Sequence, residues 1–300
     1  MKQFIEDKMN KIFNDFLMDL DNKEDYCELR DFRSDGNNIL DYSNPIMRKL
    51  YLLRYMPAHM AEYYFMYESM FRYKFLDNNP NILSIGAGCG VDLWGAKFAG
   101  DQYSPGSDIR YTGLDNVNWN YHDNLGIEEY YFIFQDVNEF RKLDESDYNV
   151  IIFPKSIGEL NASTFNDLKN CIRNTTFKND KIVLLSSIRN ARDNFDMKRL
   201  GEIADIFADK HGYSCLDDKD VYYHFDTDRN GKYPRLETVC SGFAYPEDIK
   251  NYMINLNSHC GVFIDNGCEP CDESCRKMNR WPVLTASQIK YQVLRLQRLV

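Results

Sequence analysis

The stretch that decides the fold is NILSIGAGCGVDLWGAKFA, Asn81–Ala99. An apolar run ends at Ile85, and three glycines then alternate with other residues: Gly86, Gly88 and Gly90. A segment compatible with a helix follows. Glycine adopts positive φ angles without strain and lets a ligand approach the backbone closely. A strand, a glycine turn and a helix in this order predict a ligand at the first turn of an α/β sheet, with a tight turn lacking any ligand as the alternative.

Short apolar runs alternate with helix-compatible segments after this turn. Further strands are predicted at 109–116, 130–137, 149–156 and 181–188, and helices at 162–172 and 195–212. Apolar strands separated by helices are typical of a parallel sheet that is covered on both faces. We therefore predict an α/β fold with helices on both faces of the sheet.

The two ends of the chain differ from this α/β pattern. Helices are expected within residues 1–76, one starting at Ser43-Asn44-Pro45 and another at Pro57. The last segment, 289–300, fits either a strand or a helix. We predict three domains: a helical N-terminal extension at 1–76 that caps the substrate, a cofactor-binding domain at 77–245, and a Cys-rich C-terminal extension at 246–300.

Residues 221–245 contain two strand-like runs, VYYHF and LETVCSGFAY, around the polar segment DTDRNGKYPR. This pattern predicts a β-hairpin. The residues Asp226–Glu237 also fit the spacing D-x-[DN]-x-[DN]-G-x5-E of a calcium-binding loop. Strand-like flanks and Pro234 argue against an EF-hand, so a polar hairpin turn is the alternative.

Composition excludes several classes of partner. The formal net charge is −10 and the pI is about 5.1, which makes broad binding to duplex nucleic acid unlikely. No run of apolar residues is long enough for a membrane span, and the acidic, amphipathic N-terminus does not read as a signal peptide. Nine cysteines without a secretion signal indicate reduced thiols and a cytoplasmic location. The sequence does not indicate an oligomeric state.

Two acids follow consecutive predicted strands. Asp115 ends the second strand in YTGLDN, and Asp136 ends the third in FQDV. A carboxylate at the first position can accept both hydroxyls of a ribose, and one at the second can reach an adenine amino group. Taken singly, each acid also fits a helix cap or a solvated loop. Together, after a glycine turn, they indicate a nucleoside pocket.

The motifs IGAGCG, YTGLDN, FQDV and NVIIFPKSIGEL resemble the successive motifs of class I S-adenosylmethionine-dependent methyltransferases. The resemblance covers about residues 80–190. It implies a Rossmann-like, seven-stranded sheet and S-adenosylmethionine as the cofactor. It implies the following cofactor-binding residues: Gly86, Ala87, Gly88, Gly90, Asp115, Asn116, Asp136, Val137, Lys155 and Ser156. The family often has an acid where this chain has Ser84.

A narrower resemblance links YLLRYMPAHMAEYYFMY, Trp94, SIGEL and a cysteine cluster to methyltransferase-like proteins of the small ribosomal subunit. Some of those proteins carry an iron–sulfur cluster. The acidic charge of this chain argues against that role.

The loop after the fourth strand usually faces the methyl acceptor in this family. It contains Glu159 and Lys155, which we take as the candidate catalytic residues, with Glu159 able to take a proton from an oxygen or nitrogen acceptor. A cap for the next helix is the alternative role of Glu159. The [ND]PP[YF] signature of base-amino methyltransferases and a Pro-Cys nucleophile are both absent here, which disfavours nucleobase substrates.

Four cysteines occur within sixteen residues near the C-terminus: Cys260, Cys268, Cys271 and Cys275. Two thiols separated by two residues can chelate one metal ion, and the other two can complete a four-sulfur site. Such a site suits zinc or an iron–sulfur cluster. Free or pairwise oxidised cysteines are the alternative.

Three functions remain open from the sequence. The first is a methyltransferase acting on a small molecule or a protein side chain. The second is a non-catalytic or ribosome-associated binding protein with the same fold. The third is an enzyme that uses the same cofactor for aminocarboxypropyl transfer. The glycine turn does not separate them, because the cofactor would lie similarly in all three.

Overall fold

The computed structural model describes residues 1–23, 25–32, 40–76, 78–143, 147–189, 193–240, 243–264 and 273–299. The chain divides into two compact units. The first comprises residues 1–58 and 227–287, and the second comprises residues 59–226 and 288–300. The division into domains at 1–76, 77–245 and 246–300 stays a prediction.

The described α-helices are α1 (Lys2–Asp21), α2 (Pro45–Tyr73), α3 (Val91–Tyr103), α4 (Ala162–Asn174), α5 (Asp193–His211), α6 (Leu236–Val239), α7 (Glu247–Ile254) and α8 (Gly261–Ile264). The described strands are β1 (Asn81–Ile85), β2 (Arg110–Asp115), β3 (Tyr130–Phe134), β4 (Val150–Phe153), β5 (Lys181–Ser187), β6 (Tyr213–Cys215), β7 (Tyr223–His224) and β8 (Lys290–Arg298). Short 3-10 helices occupy Cys27–Asp31, Val137–Glu139, Leu256–His259, Glu273–Met278 and Ala286–Gln288.

All eight described strands form one sheet in the second unit, with the order β3-β2-β1-β4-β5-β8-β6 and with β7 paired to β8. The first five strands are parallel, whereas β8 runs antiparallel to β5, β6 and β7. The predicted Rossmann-like α/β sheet is therefore confirmed. The ambiguous last segment is the strand β8, and it lies inside the sheet.

Helices α4 and α5 cover one face of this sheet. Their apolar residues join alternate residues of β1, β4, β5 and β8 in one buried cluster, which includes Leu83, Ile85, Phe165, Leu168, Ile203 and Phe207. On the opposite face, Tyr111 Oη of β2 donates to Asp92 of α3 at 3.0 Å. The side of β1 that carries Ile82 and Ser84 therefore faces the α3 layer, because successive side chains alternate between faces.

The prediction that Pro57 begins a helix is wrong, because Pro57 lies inside the continuous helix α2. Proline lacks the N–H that would donate to the carbonyl of Leu53 four residues earlier. Tyr245 Oη donates to that carbonyl instead, at 2.7 Å, and Val283 N–H donates to the carbonyl of Arg54 at 3.0 Å. The predicted helix start at Asn44 is correct, since Asn44 Oδ1 accepts from the N–H of Ile46 at 2.9 Å.

The predicted hairpin within residues 221–245 is also wrong. Strand β7 pairs with β8, and the second half of the segment forms the short helix α6. The backbone before α6 pairs elsewhere: Arg235 forms a β-bridge with Thr285, and Leu236 N–H donates to Leu284 at 2.9 Å. These partners lie about 50 residues further along the chain, so local turn patterns do not reveal them.

Among the described residues, the search for a helix of membrane-spanning length and hydropathy finds none.

Candidate cofactor and active site

The glycine turn after β1 has the backbone conformation that the sequence predicts. Gly86, Gly88 and Gly90 have φ angles of 73°, 59° and 82°, all in the region that favours glycine. The N–H groups of Gly86 and Ala87 both donate to the carbonyl of Leu114, at 2.8 and 3.1 Å. The turn is thereby attached to the carboxyl end of β2.

Gly86 and Gly90 differ in how closely other residues pack against them. A Cβ atom added at Gly86 would overlap the Cβ atom of Ser156, in the loop after β4. Ser156 Oγ donates a short hydrogen bond to the carbonyl of Ile85. A Cβ added at Gly90 would meet no atom of the described residues within 4 Å. Gly86 therefore permits close packing of two loops, while Gly90 borders open space.

Asp115 binds the turn directly. Its Oδ2 accepts from Gly88 N–H and its Oδ1 accepts from Val117 N–H, both at 2.8 Å. Burial raises the pKa of Asp115 to about 6, and hydrogen bonds from the two N–H donors and from Trp119 oppose this shift. A carboxylate offers about four lone-pair positions, so acceptor capacity remains after these hydrogen bonds. The carboxylate can thus accept from a hydroxyl group of a ligand.

Asp136 lies at the same edge of the sheet. Phe134 of β3 pairs in register with Asp115, and Asp136 follows two residues later. Its Oδ1 accepts from the N–H of Asn138 at 3.1 Å and caps the 3-10 helix Val137–Glu139. Asp136 can cap this 3-10 helix and still accept from an adenine amino group, because capping uses only one lone pair of the carboxylate.

The remaining predicted cofactor residues surround this edge. Asn116 is exposed directly after Asp115, and Val137 is buried in the core cluster behind Asp136. The buried Trp119 was not predicted; its Cε2 atom would lie 3.8 Å from a Cβ added at Gly88. Tryptophan in a loop carries no periodic signal, so the sequence alone did not reveal it.

Lys155 is buried in an ionic network. Its ammonium lies 2.9 Å from Glu62 Oε2 and donates to the carbonyls of Ile188 and Gln288, each at 2.9 Å. Its three N–H groups are therefore all engaged. Lys155 also has a φ of 60°, unusual for a residue with a side chain, and the network holds that conformation.

Glu62 of α2 is fully buried and connects three parts of the chain. Besides Lys155, it accepts from Ser187 Oγ at the end of β5 at 2.7 Å and from Lys290 N–H at the start of β8 at 2.9 Å. Burial raises the pKa of Glu62, and these three donors oppose the shift. A single acid within the apolar run AHMAEYYFM is the sequence signal of a buried ionic partner such as this one.

Glu159 lies in the turn after β4, where its N–H donates to the carbonyl of Ser156 at 2.8 Å. Its Oε1 is 3.6 Å from Arg189 Nη1, and the same guanidinium lies 3.3 Å from Oδ1 of the buried Asp196. Glu159 is half-buried and is therefore accessible to a substrate. The helix α4 is capped by Asn161, whose Oδ1 accepts from Thr164 N–H at 2.9 Å, so Glu159 does not serve as that cap.

The predicted metal site falls partly outside the described residues. Cys268 and Cys271 are not among them, whereas Cys260 and Cys275 are described and buried. Within the described ranges no group of three or more metal-ligating side chains is found. The zinc or iron–sulfur site stays a prediction, which elemental analysis of anaerobically purified protein can test.

The predicted calcium loop contains a compact polar turn. Asp228 Oδ1 accepts from the N–H groups of Asn230 and Lys232, at 2.8 and 2.9 Å, and Asp228 N–H donates to the carbonyl of Lys232. These bonds give Asp228 of the motif a turn-forming role that needs no ion. Calcium binding stays a prediction, testable by calorimetric titration.

No protein-family model and no curated protein match this chain. Among solved structures, this chain is similar to the plantazolicin methyltransferase BpumL bound to a monoazolic desmethylPZN analog and SAH. The two are 13% identical, the alignment covers 99% of this chain and 100% of that chain, and the TM-score is 0.41. This chain is also similar to YcgJ from Bacillus subtilis, with 12% identity, 78% and 98% coverage, and a TM-score of 0.38.

A third similar structure is a TehB-like SAM-dependent methyltransferase from Corynebacterium glutamicum, with 13% identity, 55% and 79% coverage, and a TM-score of 0.33. All three TM-scores lie below 0.5. These likenesses therefore give no information on the acceptor or the activity of this chain.

Proposed function

We propose that this chain is an S-adenosylmethionine-dependent methyltransferase whose acceptor is a small molecule or a protein side chain. One observation carries the proposal: the carboxylate of Asp115 accepts from Gly88 N–H, inside a turn whose three glycines all have positive φ. In open α/β sheets, an acid beside a glycine turn at adjoining strand ends is suited to bind the ribose of a nucleoside.

The residues present fit such a cofactor. Space lies open next to Gly90, so a ligand can reach the turn without a side chain in its way. The remaining acceptor capacity of the Asp115 carboxylate suits the hydroxyls of a ribose. Asp136 stands at the next strand end, where the proposal assigns it the adenine amino group.

When bound, the cofactor supplies an electrophilic methyl group on a sulfonium. The protein then has to hold donor and acceptor in line and to keep that geometry rigid. Ser156 serves this end because it joins the loop after β4 to the end of β1 through the carbonyl of Ile85. We assign Lys155 a positioning role, since its ammonium is fully used in holding the same loop.

Glu159 is the proposed proton acceptor for an oxygen or nitrogen nucleophile. It lies in the loop that Ser156 and Lys155 position, and its carboxylate is partly accessible. The Arg189 guanidinium, with Nη1 3.6 Å from Glu159 Oε1, orients this carboxylate.

The test of cofactor binding is a thermal shift with S-adenosylhomocysteine, because a ligand that binds only the native state raises the unfolding midpoint. We expect a rise for the wild type and for Asp101→Ala, a control on an exposed acid of α3, and none for Asp115→Ala. A wild-type midpoint that does not move at about 1 mM ligand would refute the proposal.

Turnover separates an enzyme from a binding protein. We expect labelled methyl groups to pass from S-adenosylmethionine to a small molecule or a protein of a cell extract, with Glu159→Gln slower by about 10²–10⁴-fold. Cofactor binding with release of neither S-adenosylhomocysteine nor methylthioadenosine would favour the non-catalytic alternative, whereas release of methylthioadenosine would favour aminocarboxypropyl transfer.

A further inference from the structure

The strand β3 forms one edge of the sheet and is unusually apolar for an edge. Its sequence is YYFIF, and it pairs with β2 alone in the described part of the chain. Tyr131 is 56% exposed, Ile133 36% and Phe134 51%. Proteins usually protect such edges with lysine, proline, a bulge or a covering segment, because an exposed apolar edge pairs with other chains.

The described parts of the connections around β3 add no helix or strand that pairs with this edge. Residues 116–129, between β2 and β3, contain no helix or strand. The described residues between β3 and β4 contain only the 3-10 helix Val137–Glu139. The His122 ring packs against one side of the strand, tilted by 48° to the Phe132 ring and with the two ring centroids 3.8 Å apart. The side that carries Tyr131 and Ile133 faces solvent.

The hydrogen bonds to β2 determine which backbone groups of β3 point outward. Glu129 accepts from Tyr111 N–H, and Gln135 N–H donates to Asp115, so the odd-numbered residues of β3 face β2. Because backbone direction alternates along a strand, the N–H and C=O groups of Tyr130, Phe132 and Phe134 face away from the sheet. No described strand pairs with this outward row of groups, which has the length of a short strand.

We propose that a second copy of this chain covers this edge, through antiparallel pairing of β3 with β3 about a two-fold axis at Phe132. Pairing at this register places each outward backbone group opposite another outward group: Phe132 opposite Phe132, and Tyr130 opposite Phe134. A two-fold axis makes the same surface meet itself, so the register is the same for both copies.

The side chains of β3 are complementary to themselves in that register. Tyr130 faces Phe134, Phe132 faces Phe132 and Tyr131 faces Ile133, so every cross-strand pair is aromatic or aromatic with β-branched. Such pairs are the ones that stabilise antiparallel strands. This self-complementarity favours a second copy over an unrelated partner and joins two sheets into one continuous sheet.

Charge predicts how the association depends on salt. Each copy carries a formal net charge of −10, and the register sets Glu128 opposite Asp136 at the ends of the ladder. Both effects are repulsive and are screened by salt. The dimer is therefore expected to tighten as ionic strength rises from about 0.05 M to about 0.5 M, the reverse of an interface held by ion pairs.

The test compares the wild type with Tyr131→Lys/Ile133→Lys by analytical ultracentrifugation of the full chain. We expect the wild-type 35.4-kDa chain to form dimers at micromolar concentrations. For the variant we expect a dissociation constant that is higher by about 100-fold or more. The control Leu216→Lys/Val221→Lys adds the same charge at two residues of similar exposure, 51% and 52%, and should still dimerise.

Hydrogen exchange locates the interface and controls for folding. The amide of Phe132 should be protected in the wild-type dimer and should exchange about tenfold faster or more in the Lys variant. The amide of Gln135, bonded to Asp115 at 3.0 Å, should stay protected in both. A wild type that remains monomeric up to about 200 µM, or a Lys variant that still dimerises, overturns the proposal.

Discussion

At the scale of single residues, the candidate site depends on Asp115 and Gly86. Asp115 combines a half-buried carboxylate with two backbone donors, so its charge state governs what it can bind. Gly86 is needed for two separate reasons, its φ of 73° and the side chain of Ser156. The charge state of Asp115 leads to a prediction about ligand binding, and the surroundings of Gly86 lead to one about stability.

Binding of S-adenosylhomocysteine should weaken at low pH. Burial raises the pKa of Asp115 to about 6, so its carboxyl group is ionised above this pH and becomes protonated as pH falls through it. A protonated carboxyl accepts hydroxyl hydrogen bonds poorly, and the affinity should fall by up to about tenfold per pH unit below about pH 6. Calorimetric titration from about pH 5 to about pH 8 measures this.

Asp115→Asn provides the control for that titration. Its affinity should be lower at neutral pH and should change little over the same range, because the titrating group is gone. Asp92 is fully buried, with a pKa likewise raised to about 6, and remains in the variant. A pH dependence that survives in Asp115→Asn would assign the effect to Asp92 or another group.

Gly86→Ala should cost more stability than Gly106→Ala. Gly106 also has a positive φ, 79°, but a Cβ there meets no described atom within 4 Å. Strain alone should lower the free energy of unfolding by about 1–2 kcal/mol at Gly106. The overlap with Ser156 should add about 1–3 kcal/mol at Gly86. Urea denaturation measures both, and equal losses would contradict the close packing.

At the scale of elements, long-range side chains complete what local sequence interrupts. Helix α2 continues through Pro57 because Tyr245 supplies the missing donor. The loop after β4 keeps a positive φ at Lys155 because Glu62, on α2, binds the ammonium. In both cases a buried polar group finds its partner on a distant element.

The effect of Tyr245→Phe should depend on residue 57. With Pro57 present, loss of the hydroxyl leaves the carbonyl of Leu53 without this donor and should lower the free energy of unfolding by about 1–3 kcal/mol. In a Pro57→Ala background the restored backbone N–H at position 57 can donate to the same carbonyl, so Tyr245→Phe should cost less. A double-mutant cycle by urea denaturation checks this, and additive losses would contradict it.

Breaking the buried Glu62–Lys155 pair should be costly and non-additive. Glu62→Gln and Lys155→Met should each lower the free energy of unfolding by about 3–5 kcal/mol, because each leaves the other group buried without its partner. The double variant should lose less than the sum of the two. Asp15→Asn, which removes an exposed pair with Lys11 in α1, should cost about 0–1 kcal/mol. Chemical denaturation of all four proteins decides the point.

At the scale of the whole molecule, the C-terminal strand completes a sheet that begins more than 200 residues earlier. Strand β8 lies between β5 and β6 and also pairs with β7. Lys290 N–H, at the start of β8, donates to Glu62, and the carbonyl of Gln288, two residues earlier, accepts from the ammonium of Lys155. The sheet and the network behind the candidate site therefore both depend on the last residues of the chain.

A chain that ends at Ile289 should fail to form the native sheet, because β6 and β7 lose the one strand they pair with among the described residues and β5 loses one of its two neighbours. We expect loss of near-ultraviolet circular dichroism and of S-adenosylhomocysteine binding, and rapid proteolysis. A chain that ends at Arg298 keeps β8 and should behave as the full-length protein. Native-like binding by the shorter chain would show that β8 is dispensable.

Local chemistry explains what the sequence predicted well. The φ preference of glycine indicates the turn, and the spacing of apolar residues indicates the strands and the acids at their ends. Both signals act within a few residues. Gly86, Gly88, Gly90 and Asp115 accordingly lie together, where their spacing placed them. The roles assigned to them in cofactor binding stay predictions.

The sequence by itself determined a parallel α/β sheet with a glycine turn and a carboxylate at its edge, because those features follow from nearby residues. Only the tertiary structure decided that α2 passes through Pro57, that β8 enters the sheet, that Glu62 binds Lys155, and that β3 is left as an apolar edge. Each of these depends on partners brought together by folding from distant parts of the chain. Local propensity cannot specify such partners, since the free energy that selects them comes from burial and from the pairing of buried polar groups.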